Sequence, residues 1–466
     1  MAAHYSVLDL VGDTPLVRLN RLADGIAATV YVKLEYLNPG GSVKDRAALA
    51  MVRAAERSGA LRPGATIVEG TSGNTGVGLA QVAAALGYRI VVVVPDRTAV
   101  EKVDTLRAYG AEVVLTPGGL AREDPRHVNR LAARIAEETP GGWLANQYDN
   151  PANPAAHVSS TGPEIWADTH GRITHFVAGI GTGGTISGTG RYLKDVSGGR
   201  VQVIGADPVT SVYSGGDGSP FLVEASGHFL HPDTVDDVWP QSYHLDVPDR
   251  IEAIADRESI RTVWRLAREE GLLVGGSAGL ATAAALRVAR NLGPEHTVVA
   301  LLPDSGRNYL SKYHSPTWSR RMGFLDDDRS DVLGSAGLLD TVHVATTRNT
   351  VGEALALAEG PAAAQPALPI VLAGRDPRLP TSAAELLGEL TVVQLRTAAR
   401  TDGIGATVRL PDGPPPATVG TGETAAEALT RLDDAAGHAW VLRDGRLAGV
   451  VAVSRLRALA GQPAPA

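Results

Sequence analysis

Cysteine is absent from the 466-residue chain. That excludes disulfides, iron–sulfur clusters, zinc–thiolate sites and any cysteine nucleophile. Long apolar runs are missing too. No stretch reaches the roughly 18 uninterrupted apolar residues of a membrane helix. Residues 1–19 lack the basic segment and apolar run of a secretory signal. The expectation is a cytoplasmic protein with no membrane association. Positive charge is in deficit: Lys+Arg is 43 against Asp+Glu 51, a formal charge of −8. This argues against a general nucleic-acid or anionic-membrane binder. Lysine itself is scarce, with only Lys33, Lys44, Lys102, Lys194 and Lys312. Chemistry that needs a primary amine has those five candidates. The 12 histidines show no paired metal-ligating spacing, so no metal site is expected.

What is present is ample apolar material, 44% of residues, enough to exclude disorder of the whole chain. At roughly 150 residues per domain the length suggests about three domain-sized units. Short β-branched runs at 29–34, 66–68, 90–94, 112–115, 174–178, 201–206 and 297–302 alternate with segments of helical apolar spacing. Those segments are 42–57, 75–86, 99–109, 125–138, 186–194, 257–269 and 278–291. The alternation predicts an α/β fold with a mostly parallel sheet. A run that is apolar throughout, Val91 to Val94, suits a strand covered on both faces.

The pattern changes near residue 325. The charged run 326–331 reads as a solvated linker. Beyond it, strand 341–346, helix 351–357, strand 369–372 and helix 382–387 are expected. A similar order follows in 417–419, 425–432, 438–442, 447–451 and 453–459, after a loop at 411–416. This suggests two related units of about 60 residues.

Four loops follow predicted strands, and ligands of open α/β sheets bind at the carboxyl ends of strands. In Asn38-Pro39-Gly40-Gly41-Ser42-Val43-Lys44-Asp45-Arg46, Lys44 falls in the first turn of a helix, where the dipole disfavours its ammonium form. Glu69-Gly70-Thr71-Ser72-Gly73-Asn74-Thr75-Gly76 gathers three hydroxyls and an amide at a strand-to-helix turn, a pocket for a carboxylate or phosphate. Capping a helix needs one such residue, not four. Gly179-Ile180-Gly181-Thr182-Gly183-Gly184-Thr185 lets a backbone approach an anion closely. No Gly-Lys-Ser/Thr follows, so a P-loop reading fails, and the glycines are too closely spaced for a dinucleotide fingerprint. Pro303-Asp304-Ser305-Gly306-Arg307-Asn308-Tyr309 adds a lone hydroxyl that could also cap the next turn. An amine, an anion cradle, a carboxylate pocket and a hydroxyl are together what pyridoxal phosphate and an amino acid require.

Residues from about 10 to 325 resemble the fold-type II pyridoxal-phosphate enzymes of the cysteine synthase and cystathionine β-synthase family. The resemblance rests on the four motifs in the family's order. It implies an open parallel-sheet α/β domain of two subdomains over 1–325, a linker over 326–340, and a small α+β pair of CBS modules over 341–466. It implies that Lys44 carries pyridoxal 5′-phosphate and moves the substrate proton. Gly181, Thr182, Gly183, Gly184 and Thr185 match the phosphate loop. Asn74 matches the residue beside the cofactor's 3′-oxygen, and Ser305 the serine facing the pyridine nitrogen. Thr71, Ser72, Gly73 and Thr75 match the loop for the substrate carboxylate, and Gln147 in Asn146-Gln147-Tyr148 a further contact with it. Glu269 to Gly279 and Leu302 to Tyr309 read like the cystathionine β-synthase subgroup. The expected activity is β-replacement on L-serine or an activated serine with a thiol, foremost L-homocysteine to give cystathionine. The alternative is a cysteine synthase, or a relative using an amine or another thiol. The expected partners are small amino-acid substrates and copies of the chain itself, in a homodimer or higher homo-oligomer.

Two stretches depart from the family pattern. A G-x-G-x-D-F-x-P-like segment reads Ala225-Ser226-Gly227-His228-Phe229-Leu230-His231-Pro232, and a D-P-E-G-S-like one reads Asp207-Pro208-Val209-Thr210-Ser211. These would alter the fit of the nucleophile. In the tail, the Thr/Ser-x-x-Asp element for ribose hydroxyls is replaced by Ala452 and Arg455 in the second copy. In the first copy Ser382-Ala383-Ala384-Glu385, after Leu379-Pro380, offers the nearest match. The expectation is a structural or dimerising pair with weak or absent adenosyl-ligand binding.

Overall fold

The computed structural model describes residues 4–71, 73–96, 98–325, 333, 336–372, 381–410, 415–433 and 436–461. Ser72, the charged run 326–331, Leu379-Pro380 and residues 411–414 of the expected inter-copy loop lie outside them. The chain divides into two compact units, Met1–His314 and Ser315–Ala466. The short helix Pro316–Arg321 groups with the second unit, within the 1–325 span expected for the catalytic domain.

The first unit holds two sheets, the open parallel architecture the sequence implied. One runs, in spatial order, through Leu16–Arg18, Thr29–Leu34, Thr297–Leu302, His175–Gly179, Gln202–Pro208 and Arg250–Ile254. Only its first pairing is antiparallel. The other runs through Glu112–Thr116, Arg89–Pro95, Thr66–Gly70 and Gly142–Leu144, all parallel. Central strands are buried on both faces. Val298, Val299, Ala300, Leu301 and Leu302 are each at most 2% exposed. Each large side chain so buried contributes roughly 1.5–3 kcal/mol.

Three neighbouring parallel strands, Thr29–Leu34, Thr297–Leu302 and His175–Gly179, end at three of the four motif loops. Their parallel direction delivers the Lys44, Ser305 and Gly181–Thr185 loops to one edge of one sheet. The fourth loop follows Thr66–Gly70 in the other sheet. It reaches the same place because helices Lys44–Ser58 and Asn74–Leu86 pack closely. At Gly78 a Cβ would lie 3.1 Å from the Lys44 carbonyl oxygen, so a larger residue would push the two loops apart.

The second unit repeats one β-α-β-β-α order twice, consistent with a CBS-module pair. The first copy is Ala345–Thr346, Val351–Glu359, Leu368–Val371, Leu386–Leu390 and Val392–Thr401. The second is Thr418–Gly420, Ala425–Leu429, His438–Arg443, Arg446–Ala452 and Val453–Leu459. In each, a parallel pairing is followed by an antiparallel one. Fully buried Trp440 packs with Val371 and Leu386 of the first copy, and its indole N–H donates to Glu389 at 2.6 Å.

The expected helix 382–387 is corrected. Ser382 and Glu385 do form a reciprocal cap, but over one 3-10 turn, Ala383–Glu385, which runs straight into a strand. The helix that ends the first copy starts at Thr391, capped by Gln394. By position in the repeat, the counterpart of Ala452 to Arg455 is therefore Thr391 to Gln394, not Ser382 to Glu385.

Candidate active site

Lys44 is the first residue of helix Lys44–Ser58. Its neighbour Arg46, 3% exposed, anchors that helix end. The guanidinium donates to Glu35 at 2.7 and 2.8 Å and to Glu164 at 2.6 and 2.7 Å. Two such forks fix a helix start more tightly than a hydroxyl cap, and Val43, its N-cap residue, supplies no side-chain bond.

The other four lysines are committed elsewhere. Lys33, fully buried, donates to the Thr14 carbonyl at 2.6 Å and lies 2.9 Å from Glu164. Lys102 lies 2.7 Å from Glu224, Lys194 lies 2.7 Å from Asp249, and Lys312 pairs with Glu224. The Lys44 amine has no hydrogen-bond or ion-pair partner among the described residues. Lys44 is partly solvent-accessible, yet its amine sits deep enough that burial lowers its pKa, against the raising field of Asp304.

Short bonds link the described residues on either side of Ser72. Thr71 Oγ1 accepts from the Gly73 N–H at 3.3 Å. A Cβ on Gly73 would meet the Lys102 side chain at 2.7 Å. The Thr75 hydroxyl donates to Gln147 Oε1, so two residues far apart in sequence meet, both buried. Behind them lies Glu69, 2% exposed, whose pKa is raised to about 8 by burial.

The glycine loop opens helix Gly184–Ser197. Gly183 has φ +83°, and a Cβ there would fall 2.3 Å from Tyr243 Cβ, so only glycine fits. At Gly181 a Cβ would lie 2.7 Å from the Ala225 carbonyl oxygen. Asn153 Nδ2 donates to Thr182 Oγ1 at 3.2 Å and to the Gln147 carbonyl at 2.8 Å, tying this loop to the carboxylate loop. Thr185 Oγ1 lies 3.3 Å from His157 Nε2. Burial, with Arg46 and Lys44 nearby, holds His157 well below the usual histidine pKa and hence neutral.

Ser305 is brought alongside. Val43 N–H donates to the Pro303 carbonyl at 2.8 Å, and Ser42 pairs with Asp304 in an isolated antiparallel bridge. Ser305 Oγ accepts from the Arg307 N–H at 3.3 Å, the capping role its sequence allowed. Two further polar residues had no role assigned from sequence. Asp304, fully buried, accepts from Asn74 Nδ2 at 2.8 Å and from the Tyr309 hydroxyl at 2.5 Å. Ser277, 1% exposed, lies in the first turn of helix Gly276–Ala289, and its hydroxyl has no partner among the described residues. Both were inside stretches quoted for family likeness; a polar residue flanked by a buried strand or glycines was the available signal. The departing stretches also meet: Ser211 Oγ accepts from the His228 N–H at 2.8 Å. Ala225 stands at φ +67°, a left-handed backbone that favours glycine.

A glycine cradle at a helix N-terminus, an unpartnered amine and an orphaned buried hydroxyl fit pyridoxal phosphate as a donor set. A family model described as pyridoxal-phosphate dependent enzyme matches residues 7–304. The chain belongs to that family and is a pyridoxal-phosphate-dependent enzyme of fold type II. Among its relatives, a cystathionine beta-synthase of Apis mellifera is 42% identical over 326 residues, 68% of this chain and 63% of that one. The chain thus matches less than two thirds of that relative's length. A probable cysteine synthase of Bacillus subtilis strain 168 is 47% identical over 308 residues, 65% of this chain and 95% of the other. The crystal structure of an O-acetylserine-dependent cystathionine beta-synthase from Helicobacter pylori superposes with a TM-score of 0.61 at 36% identity. That likeness covers 67% of this chain and 99% of the other.

Proposed function

We propose that the chain catalyses β-replacement on L-serine or an activated serine with a thiol nucleophile, the leading pairing being L-serine and L-homocysteine to give L-cystathionine. The observation that carries it is the Lys44 amine, without a partner among the described residues and of lowered pKa, on a helix start packed against the Asn74 helix. Bound cofactor supplies an electron sink for the pair released when the substrate Cα–H bond breaks. Lys44 would hold the cofactor and, once free, remove the substrate Cα proton and return it after the new Cβ–S bond forms. The serine Cβ–O bond breaks in between, its oxygen leaving as water with the proton lost by the thiol. Thr71, Ser72, Gly73, Thr75 and Gln147 would bind the substrate carboxylate. Gly181, Thr182, Gly183, Gly184 and Thr185 would hold the phosphate, and Asn74 the 3′-oxygen.

Two hydroxyls qualify as the neutral partner of the ring nitrogen. Ser305 already caps a turn, whereas Ser277 is buried with its bonding capacity unused. That difference favours Ser277. Either hydroxyl, unlike a carboxylate, leaves the ring nitrogen unprotonated, which suits elimination and replacement over a long-lived carbanion.

A cysteine synthase reading, O-acetylserine or O-phosphoserine with sulfide, is the second possibility. The left-handed Ala225 beside the phosphate loop favours keeping it, since that stretch departs from the family pattern for the second substrate. Mass spectrometry of products decides. Cystathionine from L-serine and L-homocysteine, at a rate far above a Lys44→Ala control, supports the first reading. Cysteine from an activated serine and sulfide alone supports the second. Equal turnover by Lys44→Ala refutes both.

A further inference from the structure

We infer that Asp304 is a positioning residue for the reaction, its buried carboxylate locking the Asn74 side-chain amide with its NH₂ end fixed and its remaining N–H free for the cofactor. The inference rests on the proposed placement of Asn74 at the cofactor and deepens it.

An asparagine amide has two chemically different ends, and its orientation is decided by what it meets. A carboxylate only accepts hydrogen bonds. Asp304 Oδ2 accepts from Asn74 Nδ2 at 2.8 Å, so the carbonyl end of Asn74 cannot take that place without an oxygen–oxygen clash of lone pairs. The same Oδ2 accepts from the Tyr309 hydroxyl at 2.5 Å, which holds the carboxylate from its far side. Asp304 Oδ1 is buried and unpartnered, against Gly275 at the start of helix Gly276–Ala289. A Cβ on Gly275 would fall 2.1 Å from that oxygen, so the close seat exists only because the residue is glycine.

The charged groups around Asp304 come from every element packed on it. Burial is the largest influence on Asp304 and, with Glu224, raises its pKa; Lys102, from helix Val100–Ala108, and the Tyr309 and Asn74 donors act in the opposite sense. Lys44 feels its field from helix Lys44–Ser58. The two donors on Oδ2 and the close seat against Gly275 hold the acceptor in place, beside the two residues the reaction uses. A carboxylate retained solely for packing would be replaceable by its amide isostere without consequence for the cofactor.

The test is the visible absorption spectrum of the holoenzyme, with steady-state kinetics beside it. Asp304→Asn keeps the shape but removes the acceptor-only end, so the Asn74 amide is free to turn over. Asp304→Asn and Asn74→Ala should each shift the cofactor band the same way, and the double variant should match Asn74→Ala alone. The expected fall in kcat for Asp304→Asn is roughly ten- to a hundred-fold, the scale on which misplaced groups lose rate, with substrate KM little changed. An unchanged spectrum in Asp304→Asn, or additive shifts in the double variant, overturns the inference. Should Asp304→Asn fail to fold, Tyr309→Phe replaces it, since it loosens the carboxylate without removing it. A smaller shift in the same direction supports the inference, and a wild-type spectrum overturns it. Borohydride trapping and peptide mass spectrometry separate the two levels. Cofactor fixed on a residue other than Lys44 refutes the proposed site itself, whereas fixation on Lys44 with no Asp304 effect refutes only the lock.

Discussion

Lys33 and Lys44 carry the same amine in the same short stretch of chain, and their surroundings give them opposite uses. Lys33 is fully buried against a carbonyl and two carboxylates, Glu164 and Asp168. Lys44 has no such partner among the described residues, and burial disfavours its charge. The same contrast separates the two serines. Removing Ser305 Oγ deletes a capping bond, which should lower the stability of the apoprotein by about 1 kcal/mol. Removing Ser277 Oγ deletes no protein bond, so Ser277→Ala should leave apoprotein melting nearly unchanged and shift the bound cofactor's absorption band. Calorimetry of the apoprotein and spectra of the holoenzyme check the pair; a wild-type spectrum for Ser277→Ala would return the ring-nitrogen role to Ser305. Ala225 gives a third residue-scale prediction. Its left-handed backbone costs about 1–2 kcal/mol, partly offset because glycine has more freedom to lose in the unfolded chain. Ala225→Gly should therefore raise stability by about 0.5–1 kcal/mol in urea unfolding, with a changed KM for the second substrate.

Elements were legible in proportion to their length and periodicity. The strands at 29–34, 90–94 and 297–302 and the helices that alternate with them stood out, because apolar runs and 3.6-residue spacing are strong signals. Short strands such as Leu16–Arg18 and Gly142–Leu144 left none. Residues 382–387 misled for a physical reason. A Ser-x-x-Glu cap forms the same two bonds over one 3-10 turn as over a long helix, and Leu386–Leu390 then continues as a strand. The motif loops were legible as loops, since glycine and hydroxyl clusters mark them. The Asn74–Asp304 and Thr75–Gln147 bonds were not, because they join residues far apart in sequence. The ion cluster at the Lys44 helix yields the prediction of this scale. Glu164 keeps a pKa of about 2: burial raises it, and the Arg46 bonds and charge with Lys33 outweigh that. A folded-state value below the ordinary 4.5 means that the stabilisation is complete above pH 4.5. It drains away as pH falls towards 2. Glu164→Gln should cost roughly 3–5 kcal/mol at pH 7 by leaving Arg46 and Lys33 underpaired. Its stability should also fall less steeply than wild type below pH 4.5, as followed by urea unfolding at several pH values.

At the scale of the molecule, the two units differ in how much of their role can be read. The family match covers residues 7–304 and lies within the first unit. The second unit repeats a β-α-β-β-α order consistent with a CBS-module pair, without an acidic residue at the helix start that closes each copy. The helix ending each copy starts at Thr391 with Gln394, or at Ala452 with Arg455, and Ala452 makes no side-chain cap. Neither copy therefore has a carboxylate where the resemblance would place the ribose-binding aspartate. Isothermal calorimetry of the full chain with S-adenosylmethionine is expected to show no tight binding. Micromolar or tighter binding would mean that other residues of the repeat recognise the ligand.

The shortage of lysine has a consequence beyond the reaction itself. Aldehydes condense with whatever unprotonated amine they meet, and most proteins offer many competing ones. Here four of the five side-chain amines are held by carboxylates, and the remaining one, Lys44, has no such partner among the described residues. Among its lysines, a reactive carbonyl compound added to the apoprotein should therefore mark Lys44 first. With so few lysines to choose from, the chain is close to carrying its own selective label, the α-amine aside.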